Sequence, residues 1–168
     1  LDALKAAGLV SRSNKFLFAY HHLLFFYLEN DWPGYVQARD VTGKANAKEL
    51  SLAGLRSPVP FNVDLLQNPN ARVYVCEGCI DTLSALQMGM PAVGVPGVMG
   101  FQTGWYERFN TVEHVVLLFD NDEAGRRQAV ELRSQFRMRG IKADAQYPQR
   151  GKDVNDMLLA RKKDGKND

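Results

Sequence analysis

The sequence predicts an α/β fold in which a parallel β-sheet is flanked by helices, and three observations support this prediction. From residue 73 onward, short apolar runs typical of buried strands alternate with longer segments of helical periodicity. Acidic residues directly follow several of these runs, at the positions where parallel strands would end. A hydrophobic content of 45% with 24% charged residues is ordinary for a globular chain, and 168 residues fit one domain with an appended subdomain.

The first 70 residues differ from the rest, and we predict that they form a small mixed α+β N-terminal subdomain, residues 1–70. A short helix is expected within residues 1–15, followed by one or two aromatic strands over 16–28. Turn-forming residues at 29–34 separate this segment from a return strand at 35–39.

The second predicted domain covers residues 71–168 and follows a polar linker at 67–72. Its strands and helices alternate along the chain, which implies a parallel sheet with helices on both faces. The predicted strands are 73–76, 92–95, 112–119 and 141–147, and the predicted helices are 80–88, 105–109, 123–139 and a segment that begins near Asp153.

Carboxylates follow three of the predicted strands. Glu77 ends the first strand with Asp81 one helical turn later, Asp120 and Asp122 follow the third strand, and Asp153 follows the last. In an open parallel sheet the carboxyl ends of the strands are where ligands bind, so these acids are expected to converge. Carboxylates gathered in this way repel one another unless a cation neutralises them. Oxygen ligands without nearby sulfur or imidazole suit Mg²⁺ or Mn²⁺.

Each of these acids also has a purely structural interpretation. Asp122 and Asp153 are suitable helix N-caps, and Asp81 fits an exposed acid in the first turn of a helix. One residue can serve both as a cap and as a ligand. Asn155 adds a further oxygen donor beside Asp153. The coincidence of three acidic clusters at three strand ends favours the metal site.

A CxxC pair, Cys76 and Cys79, lies at a strand-to-helix junction, which is the arrangement of a thioredoxin-like redox site. Redox chemistry is the weaker alternative, because neighbouring acids raise thiol pKa values and because it leaves the acidic clusters unexplained. A structural zinc site needs four ligands, and the other candidates are His21, His22 and His114. No zinc is therefore expected in this sequence.

Basic residues near the acids are candidates for phosphate contacts. Arg126 is the arginine of its predicted helix nearest the acids, Lys152 precedes the last acidic cluster, and Gly78 leaves room for a phosphate. In the N-terminal subdomain, Arg39 and Lys48 are suited to line a nucleic-acid track. A net charge of +2 makes no case for a polyanionic partner by itself, so any basic footprint must be local.

Composition also bears on the compartment. No apolar run approaches the roughly 20 residues that a membrane span needs. Two cysteines build no disulfide framework, which fits a reducing environment, and we expect a cytoplasmic protein. The sequence begins at Leu1 without a signal-peptide pattern and is interpreted as a piece of a longer protein.

The motifs VYVCEGCID, VVLLFDNDEAG and KDVNDML together resemble the Toprim domain, the metal-binding module of bacterial-type primases, topoisomerases and some nucleases and recombination proteins. The resemblance covers about residues 73–160. Within that superfamily the sequence is most similar to primases of the bacterial replicative (DnaG-like) type and of phages and mobile elements. YVQAR at 35–39 and KELSLAGLRSPVPFNVDLL at 48–66 resemble the segment that precedes Toprim in such primases.

This resemblance implies a Rossmann-like Toprim fold and a DNA primase catalytic fragment, a nucleotidyltransferase that makes short RNA primers on single-stranded DNA and releases pyrophosphate. It implies two bound cations, Mg²⁺ or Mn²⁺. The implied catalytic residues and cation ligands are Glu77, Asp120 and Asp122, with Asp81 close by and Asp153 contributing to the second ion.

The resemblance also bears on three other positions. Asn155 stands where many relatives carry an acid. Arg39 and Lys48 match basic positions tied to template or nucleotide binding.

The implied partners are a single-stranded DNA template, ribonucleoside triphosphates and, through regions outside this sequence, a replicative helicase. Two alternatives share the same fold. One is a Toprim-type nuclease that cuts phosphodiesters with the same ions, and the other is a non-catalytic Toprim protein that binds nucleic acid or a partner.

Overall fold

The computed structural model describes residues 2, 5, 9–10, 13–52, 55–69, 71–97 and 99–165. The chain divides into two compact units, Leu1–Pro58 and Val59–Asp168. The helix predicted within residues 1–15 falls mostly on residues outside the described part of the chain.

The first unit contains an antiparallel sheet whose strand order is β1-β2-β3. Its strands are β1 (Leu23–Glu29), β2 (Trp32–Arg39) and β3 (Glu49–Ser51). Asn30 and Asp31 form the two-residue turn between β1 and β2, and both adopt the positive φ that such hairpin turns require. Phe25 and Tyr27 are buried whereas Phe26 is exposed, so β1 presents one face to a core.

The second unit contains a parallel sheet whose strand order is β5-β4-β6-β7. Its strands are β4 (Val73–Glu77), β5 (Ala92–Val95), β6 (His114–Leu118) and β7 (Lys142–Gln146). The α-helices described in this unit are α1 (Cys79–Gln87), α2 (Glu123–Met138) and α3 (Val154–Asp164). Short 3₁₀-helices cover Val63–Gln67 and Thr103–Phe109. The predicted parallel sheet flanked by helices is confirmed.

The order of the parallel strands reverses between β4 and β6. The chain moves from β4 to β5 in one direction and from β6 to β7 in the other. Because crossover connections between parallel strands are right-handed, helices α1 and α2 lie on opposite faces of the sheet. Helix α1 packs against β4, β5 and α3, while α2 packs against β6 and β7. The reversal defines a topological switch point, outside which open α/β sheets bind their ligands.

Apolar side chains hold both faces of the parallel sheet. Small and aliphatic residues fill the side of α1 and α3, with a core group made of Cys76, Ala85, Ala92, Leu118 and Val154. Aromatic rings fill the side of α2, where Phe136 meets Phe109 at 5.0 Å and Phe101 at 5.5 Å between ring centroids. None of the helices that the structure describes is long and apolar enough to cross a membrane.

The segment 59–70 belongs to the second unit, although the predicted domain boundary lies after residue 70. Phe61 and Gly94 exchange two backbone hydrogen bonds of 2.8 and 3.0 Å, which extends the sheet beyond β5. Val63 and Leu66 of the following 3₁₀-helix are buried. The prolines and polar residues of this segment are typical of a linker, but its backbone pairing places it in the second unit.

Candidate active site

The turn after β4 places Glu77 at the carboxyl edge of the parallel sheet. Gly78 follows with φ 95° and ψ 173°, a backbone conformation that is essentially restricted to glycine. Its amide donates to the carbonyl of Val95 at 2.7 Å, and its carbonyl accepts the Thr82 hydroxyl at 2.7 Å. Gly78 therefore fixes the passage from β4 into α1 and leaves the Glu77 carboxylate beside the switch point.

The turn after β6 contributes Asp120 and Asp122. Asp122 caps helix α2, since its Oδ1 accepts the Gly125 amide at 2.9 Å. Its other oxygen, Oδ2, lies 3.0 Å from the Lys152 Nζ, and Asp120 Oδ2 lies 3.6 Å from the same nitrogen. The capping interpretation of Asp122 is confirmed. The same side chain also lies near Asp120, with the Lys152 ammonium between the two carboxylates.

The turn after β7 brings the third acidic cluster to the same edge. Asp153 caps α3 by accepting the Asp156 amide at 2.7 Å. Asp81 Oδ1 accepts the Asn155 amide at 3.0 Å, and Asn155 Oδ1 accepts the Ser84 hydroxyl at 3.2 Å. Asp81 is buried, so the alternative interpretation of this residue as an exposed first-turn acid is wrong. Its carboxylate instead joins α1 to the start of α3.

The acids of the three turns influence one another electrostatically. The pKa of Glu77 is raised to about 7. Burial is the main cause and the charges of Asp120 and Asp122 contribute, while the Asp120 backbone and Lys152 oppose the rise. The pKa of Asp81 is also raised to about 7, again mainly by burial. The charges of Asp153, Asp120 and Glu77 contribute to this rise, and the Asn155 amide opposes it. These mutual effects place the predicted acids in one electrostatic environment.

Asp120 and Asp122 differ although they are two residues apart. Burial raises the pKa of Asp120, while Lys152 opposes that rise. The Gly125 amide and Lys152 lower the pKa of Asp122. The pair therefore combines one acid that resists ionisation with one that is stabilised as a carboxylate.

The carboxylate oxygens at this edge are ligands of the kind that a hard divalent cation binds. Glu77 Oε2 is buried without a hydrogen-bond partner among the described residues. Burying an unpaired oxygen costs free energy, and a bound cation would offset that cost. No group of three or more His, Cys, Asp or Glu side chains in the described residues is arranged to hold one ion. Mg²⁺ does not need such a cage, because it usually retains waters and binds one or two carboxylates together with substrate phosphates. The Mg²⁺ or Mn²⁺ site remains a prediction.

Arg126 lies in the first turn of α2 and is held by two neighbours that the sequence did not indicate. Its Nε donates to Asn121 Oδ1 at 3.0 Å, and its guanidinium carbon lies 5.1 Å from the centroid of the Tyr147 ring. Asn121 lies between the two aspartates of the DND motif, so its position in that motif was the feature of the sequence that could have indicated a role at the site. Tyr147 follows β7, and no local pattern connects it with Arg126.

The two predicted basic residues of the first unit lie at neighbouring strand ends. Arg39 ends β2, and its guanidinium forms an ion pair of 2.6 Å with Glu49. Lys48 is exposed and immediately precedes β3, and its carbonyl accepts the Asp40 amide at 2.9 Å. Their roles in template or nucleotide binding remain predictions.

The CxxC pair has the properties of core residues. Cys76 and Cys79 are both free and buried. Burial raises the pKa of the Cys76 thiol well above its ordinary value, and the charge of Asp81 adds to this effect. A redox site requires an accessible thiolate, so this environment disfavours the redox alternative.

Comparisons with known proteins identify the family and the fold of the chain. A family model described as Toprim-like matches residues 74–158, just over half of the chain. A search of curated proteins found no significant match to the chain.

Several solved structures share the fold of the chain. The primase fragment of the bacteriophage T7 primase-helicase protein aligns with a TM-score of 0.65 at 24% identity, over 84% of this chain and 58% of that one. A DNA primase domain from Pseudomonas aeruginosa aligns with a TM-score of 0.72 at 21% identity, over 95% and 54%. A DnaG primase catalytic domain bound to single-stranded DNA aligns with a TM-score of 0.71 at 19% identity, over 99% and 56%. The chain thus spans little more than half of each structure.

Proposed function

The chain belongs to the Toprim-like family, and from that premise we propose that it is a catalytic part of a DNA primase. Its proposed reaction is the metal-dependent synthesis of short RNA primers on single-stranded DNA. The main support is that the structural likeness to primase catalytic cores extends over both units, covering 84% to 99% of the chain. A likeness confined to the Toprim unit would favour a primase no more than a Toprim nuclease.

In the proposed reaction, the 3′-hydroxyl oxygen of one nucleotide forms a bond to the α-phosphorus of the next. The bond between that phosphorus and the pyrophosphate oxygen breaks, and the hydroxyl proton leaves to solvent. Two divalent cations, when bound, supply positive charge at the attacking and leaving oxygens. The residues proposed to hold them are Glu77, Asp120, Asp122 and Asp153, with Asp81 close by.

The chain's own basic groups have proposed roles in alignment. Arg126 carries a planar guanidinium suited to two-point binding of a phosphate, and its contacts with Asn121 and Tyr147 restrict its orientation. Arg39 and Lys48 are proposed to contact template or triphosphate from the first unit. Holding both reactants in reacting geometry is a large part of the rate enhancement of such a transfer.

The proposed ligands are single-stranded DNA and ribonucleoside triphosphates. A replicative helicase is the proposed protein partner, since one of the structural matches comes from a primase-helicase protein. We propose a cytoplasmic location for this activity.

The test is primer synthesis from labelled ribonucleotides on a single-stranded template, with Mg²⁺ or Mn²⁺ present. The parent chain is expected to form short oligoribonucleotides, and Asp120→Ala is expected to reduce their yield by at least about 100-fold. Glu131→Ala removes an exposed acid from α2 and serves as the matched control, with unchanged yield expected. Cleavage of the DNA without synthesis would support the nuclease. Nucleic-acid binding without either reaction would support the non-catalytic alternative.

A further inference from the structure

The ammonium group of Lys152 occupies the space between two proposed cation ligands. Its Nζ lies 3.0 Å from Asp122 Oδ2 and 3.6 Å from Asp120 Oδ2. One positive charge therefore offsets two carboxylates that would otherwise repel each other across the turn after β6. A divalent cation bound to the same two oxygens would be repelled by this ammonium and would compete with it for their lone pairs.

The backbone of Lys152 is fixed on both sides. Its amide donates to Asp156 Oδ2 at 2.9 Å, and its carbonyl accepts the Asn121 amide at 2.8 Å. Gly151 makes this loop possible, because it has φ 78° and a Cβ there would lie 2.2 Å from Asp156 Cβ. The loop thus connects the start of α3 with the turn after β6 and holds the base of the Lys152 side chain in place.

The side chain of Lys152 is much less constrained than its backbone. It is 60% exposed, and the Asp122 side chain that it contacts is 41% exposed. Ion pairs of this kind are weak, since water solvates both charges and the long lysine side chain loses rotamer freedom in forming them. Such a contact can be exchanged for a stronger one without unfolding the loop.

We propose that Lys152 is the resident counter-cation of the metal-free site and that a divalent cation displaces its ammonium from Asp120 and Asp122. This inference rests on the proposed function, since it assumes that the same acids bind the metal. Metal binding then requires the loss of the lysine contacts, and the lysine lowers metal affinity while it holds the acids together in the absence of metal. The displaced ammonium becomes available to the phosphates of a nucleotide at the same edge of the sheet.

The first experiment is calorimetric titration of the whole chain with Mn²⁺ alone. Lys152→Met keeps the length of the side chain but removes the competing charge, and it is expected to bind Mn²⁺ roughly five- to tenfold more tightly than the parent. Lys142→Met removes the same charge from an exposed residue at the amino end of β7 and should match the parent. Equal or weaker binding by Lys152→Met, with the parent binding normally, overturns the inference.

Asp120→Asn separates this failure from failure of the proposed site. It should bind Mn²⁺ much more weakly than the parent. If the parent binds no Mn²⁺, or if Asp120→Asn binds it as well as the parent does, then the proposed metal site is wrong and the inference falls with it.

The second experiment needs no substitution and so does not depend on the folding of a variant. The parent is treated with a limiting amine-acylating reagent, with and without saturating Mg²⁺, and each modified lysine is quantified by peptide mass spectrometry. Release from the two carboxylates makes Lys152 a better nucleophile, so its modification should rise severalfold with Mg²⁺, while that of Lys142 should not change. Unchanged or reduced modification of Lys152 overturns the inference.

Discussion

At the scale of single residues, Glu77 concentrates the electrostatic cost of the site. Its Oε2 is buried without a hydrogen-bond partner among the described residues, and two aspartates raise its pKa in addition to the effect of burial. Such an arrangement disfavours the folded chain unless a ligand compensates it. Residues whose environment destabilises the fold are typical of functional sites. A substitution of Glu77 can therefore show whether the effect of this acid on stability is opposite to its effect on activity.

Replacing Glu77 by glutamine should have opposite effects on stability and on function. Glu77→Gln removes a charge but keeps the shape of the side chain, so the metal-free chain should become more resistant to urea at pH 8. Primer synthesis should fall by at least about 100-fold, because a group that stabilises transition-state charge is lost. Glu131→Gln, at an exposed position of α2, should change neither quantity. A destabilised Glu77→Gln chain with normal synthesis would contradict the proposed role.

Arg126 offers a second test at this scale. Arg126→Lys keeps the charge but loses the planar group that contacts Asn121 and Tyr147. The KM for ribonucleoside triphosphate should rise about threefold to tenfold with a smaller change in kcat, because bonds to a phosphate are affected more than the chemical step. Arg127→Lys at the next exposed position should leave both constants unchanged. A normal KM for Arg126→Lys would show that this guanidinium does not bind the triphosphate.

At the scale of elements, two of the acids have a double role. Asp122 caps α2 and Asp153 caps α3, and each cap leaves one carboxylate oxygen directed away from the capped amide. Helix N-termini favour negative charge, and at the start of α2 the Gly125 amide lowers the pKa of Asp122. The start of α2 therefore both shapes the edge of the sheet and favours the ionised form of Asp122.

A pair of substitutions at Asp153 separates the cap from the ligand. Asp153→Ala removes both, and it should lower the free energy of unfolding by about 1 kcal/mol. Asp153→Asn keeps a good cap and should stay within a few tenths of a kcal/mol of the parent. Both variants should bind one Mn²⁺ fewer than the parent in calorimetric titration if Asp153 contributes to the second ion. Full Mn²⁺ stoichiometry in Asp153→Asn would leave Asp153 with the capping role alone.

The sequence predicted the elements around the site well, because they depend on local patterns. The apolar runs before Glu77 and Asp120 are strands β4 and β6, and the parallel arrangement follows from alternation with helices. The 3₁₀-helix Val63–Gln67 was not predicted, since the prolines and short apolar pieces of the surrounding sequence favour an irregular connector. Local periodicity therefore determines the elements, while tertiary pairing at β5 decides where the second unit begins.

Contacts between residues far apart in the chain could not be predicted from the sequence. The Asp81 carboxylate accepts the Asn155 amide 74 positions later, and Ser84 reaches Asn155 across 71 positions. Lys152 was predicted as a phosphate contact, but its position between Asp120 and Asp122 depends on how the loop after β7 docks on the turn after β6. The convergence of acids could be predicted from topology, whereas the partner of each oxygen could not.

At the scale of the whole molecule, the raised pKa values predict how the stability of the metal-free chain varies with pH. Glu77 and Asp81 have pKa values raised to about 7, from ordinary values of 4.5 and 3.8. Between about pH 4 and pH 7 the folded chain therefore binds more protons than the unfolded chain does. The free energy of unfolding consequently falls as the pH rises through this range, and the contribution of these two acids levels off above it.

Acids with lowered pKa values act in a different range. Amide and lysine contacts lower the pKa of Asp122, and His114 and Arg137 lower the pKa of Asp144. Their contribution to stability is present above about pH 4 and is lost as the pH falls below it. The metal-free chain should therefore be most stable between about pH 4 and pH 5.

Thermal unfolding in the presence of a chelator tests this prediction. The Tm of the parent should decrease from pH 5 to pH 7.5, and the double variant Glu77→Gln, Asp81→Asn should lose most of that slope while keeping an acceptor for the Asn155 amide. Saturating Mg²⁺ should raise the Tm more at pH 7.5 than at pH 5, because the ion binds the ionised acids. A parent whose Tm rises steadily from pH 5 to pH 7.5 without metal would show that these carboxylates ionise freely in the folded chain. The electrostatic strain attributed to the site would then be absent, and the strongest physical reason for a cation there would be lost.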